Sequence, residues 1–500
     1  MLSFDTVSQY PAYDKTQIEA ALRAELASNK MKFVVLDDDP TGVQTVHDIY
    51  VYTHWDEESI RDGFLAEEPL FYILTNSRGM TREETVRAHE EIAAVCDKVS
   101  KETGVDYCFI SRSDSTLRGH YPLETEVLRR EYEKNTGRRI DGEVLCFFFK
   151  EGGRYTIGDV HYVRYGDTLV PANETEFAGD RTFGYSAPSM PAYVEEKTEG
   201  AYKAETVTCI SLEELRGLDY DGIEAKLLAV HDFNKVVVNA VSNDDVTVFC
   251  TALMRAIKQG KMFAFRTAAA FVKVIADNPD RPLLTREEMV CSAEEVQPCI
   301  AGEASGEGKV VAGNRLETGR VQHGGVIVIG SHTAKTTAQL EKLRTREDIV
   351  FTELDISLVR DEDAFEAEVA RCLALEEKEI AAGHTVCCYT SRTLMTADTG
   401  NKEDDLRLSV RISDAVQSLV GRLTVTPSFV IAKGGITSSD VGVKALGVRK
   451  ALVLGAIRPG IPVWRTDEGS RFPGVPYVIF PGNVGEDVTL LEAAEILMLR

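Results

Sequence analysis

Short apolar runs rich in β-branched residues recur along this chain. Each is followed by a few small or polar residues and then by a helix-like segment. Alternation of strand, loop and helix is typical of a parallel sheet with helical crossovers, so the pattern predicts an α/β fold. The clearest runs lie at residues 33–36, 69–74, 107–110, 143–149, 325–330, 385–389, 428–432 and 477–480.

The 500 residues exceed what one hydrophobic core normally holds, so two or three domains are expected. The alternation is interrupted at 155–200, where Tyr, Gly, Pro and Asn favour hairpins and loops. It stops at 281–322, which is Glu/Gly-rich and has little periodicity. We therefore predict two domains, each a mainly parallel sheet with flanking helices. The predicted segments are a helical extension (1–30), a first domain (31–280), a boundary segment (281–322) and a second domain (323–500).

Composition excludes some classes of function. The formal net charge of −24 argues against a general nucleic-acid-binding protein, which needs a basic face. The first residues lack the charged and apolar regions of a signal peptide, and no apolar run is long enough to span a membrane. The ten cysteines form no CxxC pair, and the nine histidines show no metal-ligand spacing. We therefore expect a cytoplasmic protein that binds neither nucleic acid nor a membrane.

Three consecutive carboxylates follow the first strand. Asp37, Asp38 and Asp39 precede a Pro-Thr-Gly turn at residues 40–42. Ligands of open α/β sheets bind beyond the carboxyl ends of the strands. A carboxylate cluster there is costly unless it contacts a metal, a cation or a substrate hydroxyl. One aspartate could simply cap the next helix, but three in a row favour a functional loop.

Basic residues follow the other strands of the first half. The loops at 75–79, 111–119 and 150–154 carry Arg78, Arg112, Arg118, Lys150 and Arg154. A guanidinium group binds a carboxylate through two parallel hydrogen bonds, so these loops suit a carboxylate-bearing substrate. A single loop arginine is usually just solvated, but the density of polar residues at 112–119 favours a binding site.

Glycine-rich loops follow the strands of the second half, at 330–331, 434–435 and 482–485. Small residues between a strand and a helix let backbone N–H groups approach an anion. None of these loops matches GxxxxGK[ST] or GxGxxG. Together they predict a polyphosphate site, in which residues 433–437 are the most suggestive.

A phosphatase is an alternative. Residues 35–41 (Val-Leu-Asp-Asp-Asp-Pro-Thr) fit the hhhDxDxT motif of haloacid-dehalogenase-type phosphatases. That hypothesis makes Asp37 the nucleophile and Asp39 the general acid. It also needs a later strand that ends in paired acids, whereas the candidate strand at 236–239 ends in Asn239. The phosphatase hypothesis also assigns no role to the second half of the chain.

Taken in order, these motifs resemble the four-carbon acid sugar kinase family, which includes threonate and 3-oxo-tetronate kinases. The resemblance runs from about residue 33 to residue 495. Its Asp-Asp-x-Thr-Gly signature matches residues 38–42, and its Lys-x-Asp-Ser-Thr-x-Arg-Gly loop matches 112–119, with Arg112 in place of lysine. In the second half, Gly-Gly-x-Thr matches 434–437 and Gly-x-Phe-Gly is represented by 482–485. The turn at 330–331, together with Thr336, Thr337 and Gln339, also resembles the family's first turn in this half.

The resemblance implies an acid-sugar-binding first domain, an ATP-binding second domain and an active site in the interdomain cleft. The expected reaction is ATP-dependent phosphorylation of a sugar-acid hydroxyl, with Mg²⁺ bridging the phosphates. The triple aspartate and the 155–200 segment differ from shorter members, so the sugar acid stays open. A non-catalytic acid-sugar sensor is a further alternative, and a homo-oligomer is left open.

The hypothesis assigns three groups of residues and no metal ligand. The catalytic candidates are Asp38 and Asp39. The substrate-binding candidates are Thr41, Gly42, Arg78, Asp114, Arg118, Lys150 and Arg154. The ATP-binding candidates are Ser331, Lys433, Gly434, Gly435, Thr437, Gly482, Asn483 and Gly485.

Overall fold

The structure is a computed structural model that describes residues 1–290, 314–315, 321–392, 395 and 402–498. The chain divides into two compact units, Met1–Asp280 (unit 1) and Arg281–Arg500 (unit 2). Most of the predicted boundary segment 281–322 lies outside the described residues, as do Cys291 and Cys299.

Unit 1 alternates strands and helices as the sequence predicts. Its strands are β1 (Leu2–Ser3), β2 (Lys32–Asp37), β3 (Ile49–Tyr52), β4 (Leu70–Leu74), β5 (Tyr107–Arg112), β6 (Gly142–Cys146), β7 (Arg154–Ile157), β8 (Val160–Tyr165), β9 (Thr168–Pro171), β10 (Thr208–Ile210), β11 (Asn234–Val238) and β12 (Phe263–Thr267). Its helices are α1 (Asp5–Ser8), α2 (Lys15–Leu26), α3 (Glu57–Leu65), α4 (Arg82–Thr103), α5 (Leu123–Thr136), α6 (Met190–Lys197), α7 (Leu212–Arg216), α8 (Tyr220–Ala229), α9 (Asn243–Lys258) and α10 (Ala269–Ile275).

The main sheet of unit 1 is parallel, in the order β10-β11-β6-β12-β5-β2-β4-β3. All six residues of β2 are buried, as expected for a central strand covered on both faces. Because the strands are parallel, the loops that follow β2, β4, β5 and β12 lie at one edge of the sheet. This edge carries the aspartates and arginines singled out by the sequence.

The first thirty residues and the 155–200 segment are integral parts of unit 1. The strands β7, β8 and β9 form an antiparallel sheet, and β1 pairs with β9. Helix α2 packs on α9, and the Tyr13 hydroxyl donates a hydrogen bond to Asp245 Oδ1 (2.7 Å). The hairpins predicted for 155–200 are therefore present, and β1 from the N-terminal segment adds an edge strand to their sheet.

Unit 2 has its own elements. Its strands are β13 (Asn314–Arg315), β14 (Val321–Gln322), β15 (Val326–Ile329), β16 (Ile349–Leu354), β17 (Thr385–Thr390), β18 (Val430–Lys433), β19 (Lys450–Arg458), β20 (Ile461–Thr466) and β21 (Pro476–Phe480). Its helices are α11 (Arg286–Met289), α12 (Ala334–Leu343), α13 (Glu362–Ala381), α14 (Lys402–Gly421), α15 (Gly435–Asp440) and α16 (Thr489–Leu497).

In the unit 2 sheet, β16, β17, β15, β18 and β21 are neighbours in that order and run parallel. The antiparallel strands β20 and β19 follow β21. The glycine-rich loops after β15, β18 and β21 therefore lie side by side at one sheet edge. The predicted α/β class with mainly parallel sheets and flanking helices is confirmed. The β19–β20 hairpin was not predicted.

None of the helices in the described part of the chain is long and apolar enough to cross a membrane.

Glu376 on α13 is a buried carboxyl group beneath β17. Among the residues that the structure describes, neither of its oxygens has a hydrogen-bond partner. Burial, reinforced by Cys372 and Glu377, raises the pKa of Glu376 well above its ordinary value. The folded protein therefore keeps Glu376 protonated at a pH where the unfolded chain has already ionised it.

Replacing Glu376 by methionine is expected to stabilise the protein by about 1–3 kcal/mol at neutral pH, the usual cost of an unpaired buried polar group. The gain in melting temperature should be largest near pH 8. It should shrink towards pH 4.5, where the unfolded state also holds the proton. A gain that does not vary with pH would contradict the ionisation argument.

Candidate functional site

The carboxyl end of β2 packs its first aspartate inside unit 1. Asp37 is 1% exposed, and its Oδ1 accepts a hydrogen bond from Arg112 Nη1 at 3.2 Å. A Cβ atom added to Gly42 would lie 1.7 Å from Asp37 Oδ2, so only glycine fits above this carboxyl group. Burial raises the pKa of Asp37 to about 8. The Asp37 carboxyl group is therefore shielded from any ligand.

The next two aspartates share Arg78, which follows β4. Arg78 donates to both oxygens of Asp38, from Nη2 (2.7 Å) and from Nε (3.2 Å). Arg78 Nη1 also lies 3.2 Å from Asp39 Oδ2. Asp38 is buried, whereas the Asp39 side chain keeps 18% of its surface exposed. Asp39 is therefore the carboxylate of this cluster that a ligand can reach.

The pKa values of the two carboxyl groups are shifted in opposite directions. Burial raises the pKa of Asp38, although Arg78 opposes that effect. Burial also disfavours ionisation of Asp39, but Arg78 and hydrogen bonds from Thr41 outweigh it and lower the pKa. Thr41 donates to Asp39 Oδ1 from its backbone nitrogen (2.7 Å) and from Oγ1 (2.5 Å). Asp39 is thus held ionised in a fixed orientation.

The loop after β5 adds a second charged group. Asp114 accepts from Arg118 Nε (2.7 Å) and from the Thr116 hydroxyl. Burial disfavours ionisation of Asp114, but Arg78 and Arg118 outweigh it and lower its pKa. Asp114 acts electrostatically on both Arg78 and Arg154, which links this loop to the aspartates.

Arg154, at the start of β7, is a half-buried cation. Its Cζ lies 5.4 Å from the centre of the Phe177 ring, and that of Arg118 lies 5.1 Å from the same ring. Arg154 Nη1 donates to the carbonyl of Gly152, and its buried Nε has no hydrogen-bond partner in the part of the chain that the structure describes. No carboxylate in the described ranges forms an ion pair with Arg154, and burial lowers its pKa. This arrangement suits an anionic ligand.

Lys150 lies elsewhere. It is exposed and lines a groove together with Lys15, Asp244, Lys273 and Asp280. The structure thus brings Asp38, Asp39, Thr41, Arg78, Asp114, Arg118 and Arg154 together, with Gly42 over Asp37. Within the described ranges, no side-chain hydrogen bond or ion pair joins Lys150 to these residues.

Sequence reasoning missed an ion pair behind these loops. Arg266, on β12, donates to Glu124 at the start of α5, and both side chains are buried. Arg266 lies inside a short apolar strand, and 142 residues separate it from Glu124. The only signal in the sequence is a charged residue within a β-run, which is rarely left unpaired.

In unit 2, the three glycine-rich loops meet around Ser331. A Cβ atom on Gly330 would lie 2.3 Å from Thr437 Oγ1, and one on Gly482 would lie 3.3 Å from Ser331 Oγ. Gly434 has a φ of 128° and approaches Ser331 Cβ to 3.1 Å, measured from its added Cβ. Gly330 and Gly434 therefore cannot gain a side chain without displacing these neighbours, and Gly482 has little room for one. Gly435 begins α15, and Asn483 is exposed.

Lys433 lies beneath these loops. Its buried ammonium group donates to the carbonyls of Pro481 (2.5 Å) and Gly482 (3.3 Å). Burial and the nearby Lys335 lower the pKa of Lys433 to about 7. A negative charge bound on the loops would favour its protonated form.

Side chains in the first turns of α12 donate hydrogen bonds to the backbone of the loop at 482–485. The sequence did not predict these contacts. Thr336 Oγ1 donates to Gly482 O (3.2 Å), and Lys335 Nζ donates to Gly485 O (3.0 Å). Gln339 Nε2 donates to Val484 O (3.1 Å). Arg392, after β17, donates to Ser331 O (2.6 Å). These side chains fix backbone groups of the loops in place.

Two family models match the chain. A sugar-binding N-terminal domain matches residues 33–275, and a nucleotide-binding C-terminal domain matches residues 326–490. These two domains in this order define one family. The chain belongs to the four-carbon acid sugar kinase family. The aspartate and arginine loops fall within its sugar-binding domain, and the glycine loops fall within its nucleotide-binding domain.

Solved structures share the fold of this family member. One is the Haemophilus influenzae protein HI1011 of the DUF1537 family, with 16% identity, a TM-score of 0.56 and coverage of 93% of this chain and 100% of that one. Another is a Salmonella typhimurium LT2 protein with the provisional name tRNA synthase, with 13% identity, a TM-score of 0.60 and coverage of 93% and 99%. No curated protein matches the sequence.

Proposed function

We propose that this family member is an ATP-dependent kinase that phosphorylates a hydroxyl group of a small sugar acid, such as a tetronate or 3-oxo-tetronate. The observation that carries the proposal is the charge pattern in unit 1. A partly accessible carboxylate, Asp39, accompanies a half-buried arginine, Arg154, that forms no ion pair with any carboxylate in the described ranges. A ligand that bears both a hydroxyl and a carboxylate complements this pattern.

In this proposal Arg154 and Arg118 bind the carboxylate of the sugar acid. Phe177 contacts both guanidinium groups. Asp39 orients the reacting hydroxyl and accepts its proton, and Asp38 fixes Arg78 next to it. Positioning and charge stabilisation account for most of the catalysis in phosphoryl transfer, so this division of roles suffices.

The glycine loops of unit 2 provide the phosphate site, since close loop backbones offer N–H groups to anionic oxygens. Mg²⁺ in such sites usually keeps several waters and is bound by one or two carboxylates together with the substrate phosphates. The described residues contain no group of three acidic, histidine or cysteine side chains that could hold a metal. The hydroxyls of Ser331 and Thr437 would contribute to holding an ion that arrives with the nucleotide, and the ion would neutralise phosphate charge.

The phosphatase alternative requires Asp37 as an accessible nucleophile. That carboxyl group is 1% exposed, paired with Arg112 and covered by Gly42. A phosphorylated substrate would have to displace the loop to reach it. The geometry therefore favours the kinase.

The test is incubation of the full chain with MgATP and a panel of tetronates, 3-oxo-tetronates and longer aldonates, followed by detection of ADP and phosphorylated product. A parallel arm supplies phosphorylated sugar acids without nucleotide. The kinase predicts product only in the first arm. Phosphate release in the second arm supports the phosphatase, and binding without turnover in either arm supports a sensor.

Replacing Arg154 by methionine is expected to raise the KM for the sugar acid about 10- to 100-fold, the usual effect of losing a charge-assisted hydrogen bond. The KM for ATP should stay within twofold. The matched control is Arg164→Met, which removes an exposed arginine from the neighbouring strand β8. Equal effects of both substitutions would contradict a direct role for Arg154.

A further inference from the structure

We propose that Glu124 and Arg266 form a positioning pair that holds Arg78, Arg118 and Asp38 in the geometry that binds the sugar acid. The inference rests on the proposed function and extends it to two residues outside the motif loops. Neither residue touches the ligand in this proposal. Both act through the loops that do.

Glu124 links two segments of unit 1 at a buried point. Its Oε1 accepts a hydrogen bond from Ser77 Oγ at 2.5 Å, and its Oε2 accepts one from Arg266. Ser77 directly precedes Arg78, which binds both Asp38 and Asp39. Glu124 therefore fixes the segment that carries the shared arginine. His89 Nε2 lies 3.9 Å from Glu124 Oε1, and burial lowers the pKa of His89, so this neighbour stays neutral.

Arg266 links two further points. Its Nη1 donates to Ser111 Oγ (2.9 Å), and its Nη2 lies 3.5 Å from the carbonyl oxygen of Arg118. A Cβ atom on Gly119 would lie 2.6 Å from Arg266 Nη2 and 3.4 Å from Asp38 Oδ2. Gly119 thus lies beside both the Arg266 guanidinium group and the Asp38 carboxyl group, and a side chain at 119 would meet both of them. A shift of Arg266 is therefore expected to disturb the Arg118–Gly119 backbone next to Asp38.

The pair also balances charge near Asp38. The charged groups that face Asp38 are Asp37, Asp39, Arg78, Arg112, Glu124 and Arg266. Glu124 raises the pKa of Asp38, and it neutralises Arg266, whose positive charge would otherwise lower that pKa. Both effects predict that loss of the Glu124 charge lowers the pKa of Asp38.

A buried ion pair can also be purely structural. The chain offers a matched comparison in the same unit. Asp245 is fully buried and pairs with Arg216 (2.7 Å), on helices α9 and α7. Loss of the Asp245 charge should cost stability without acting on Asp38 or the substrate loops.

The experiment compares wild type, Glu124→Gln, Arg266→Lys, Arg266→Met and Asp245→Asn as full chains. Steady-state kinetics use the panel sugar acid that wild type turns over fastest, with MgATP. Glu124→Gln and Arg266→Met should raise the KM for the sugar acid at least tenfold and leave the KM for ATP within twofold. Arg266→Lys keeps the charge and should recover part of the loss. Asp245→Asn should lower only the melting temperature.

A second measurement does not depend on turnover. Aspartate labelled with ¹³C at Cγ, with the Asp38 signal assigned through Asp38→Asn, gives the pKa of Asp38 by NMR titration. Glu124→Gln should lower that pKa by at least half a unit, and Asp245→Asn should leave it unchanged. If Glu124→Gln matches Asp245→Asn in both measurements, the positioning role is wrong. If wild type turns over no sugar acid, the proposed function fails, and the titration still decides the role of the pair.

Discussion

Replacing Asp39 by asparagine is expected to reduce kcat by about 10²- to 10⁴-fold, the usual contribution of a positioned general base. The asparagine keeps the acceptor for Thr41 but cannot take the hydroxyl proton. Because Arg118 and Arg154 bind the carboxylate end of the ligand in our proposal, the KM for the sugar acid should change only a few-fold. Initial-rate kinetics at several pH values give both parameters.

The matched control is Asp48→Asn in the segment that follows the same strand. The Asp48 side chain is 61% exposed and contacts His47 (2.7 Å). Its backbone has a φ of 55°, which asparagine also tolerates. This variant should keep wild-type kcat. If Asp39→Asn retains more than a tenth of wild-type turnover, Asp39 is not the base, and Asp38 becomes the candidate.

Nucleotide affinity is expected to weaken as the pH rises from 7 to 8.5, on the order of tenfold, because of Lys433. Its pKa in the free protein is about 7, well below the usual value for lysine. Bound phosphate favours the ammonium form, so binding must take up a proton wherever the free amine is neutral. The free Lys433 amine is mostly neutral above pH 7 and mostly protonated below it. Nucleotide affinity therefore falls as the pH rises above 7. Calorimetric titration with an ATP analogue in buffers of different ionisation enthalpy measures the uptake.

The variant Lys433→Met should lose this pH dependence and bind nucleotide about 10- to 100-fold more weakly at pH 7. Part of that loss comes from releasing the carbonyls of Pro481 and Gly482. Lys444→Met is the control, since Lys444 is exposed and pairs with Asp414 (3.1 Å). An unchanged proton uptake in Lys433→Met would show that another group titrates.

Periodicity and loop composition sufficed to predict the strands that position the site. β2, β4, β5, β15, β18 and β21 are apolar runs with a clear polar end, so their residues indicate both the strand and the loop that follows it. The convergence of the three glycine loops followed from parallel strand order, and the pairing of β18 with β15 and β21 confirms it.

Contacts between distant segments could not be predicted in this way. The Glu124–Arg266 pair joins a helix to a strand across 142 residues, and local pattern carries no information on such a partner. The sequence favoured Asp38 and Asp39 over Asp37 as catalytic candidates, but it did not decide which of the three aspartates faces the hydroxyl group. Their different burial depends on Arg112, Arg78 and the backbone of Gly42, which only the folded chain brings together. The exposed position of Lys150 likewise depends on how its loop turns after β6.

The contact between Gly42 and the Asp37 carboxyl group constrains how this sequence can diverge. An alanine at 42 has no room while an aspartate occupies 37, because its methyl group would lie 1.7 Å from a carboxylate oxygen. A smaller residue at 37 would free that space but leave the Arg112 guanidinium group without its 3.2 Å partner. Positions 37, 42 and 112 should therefore change together in related sequences. Single substitutions at 42, or at 37 or 112 that remove this contact, are therefore expected to destabilise unit 1.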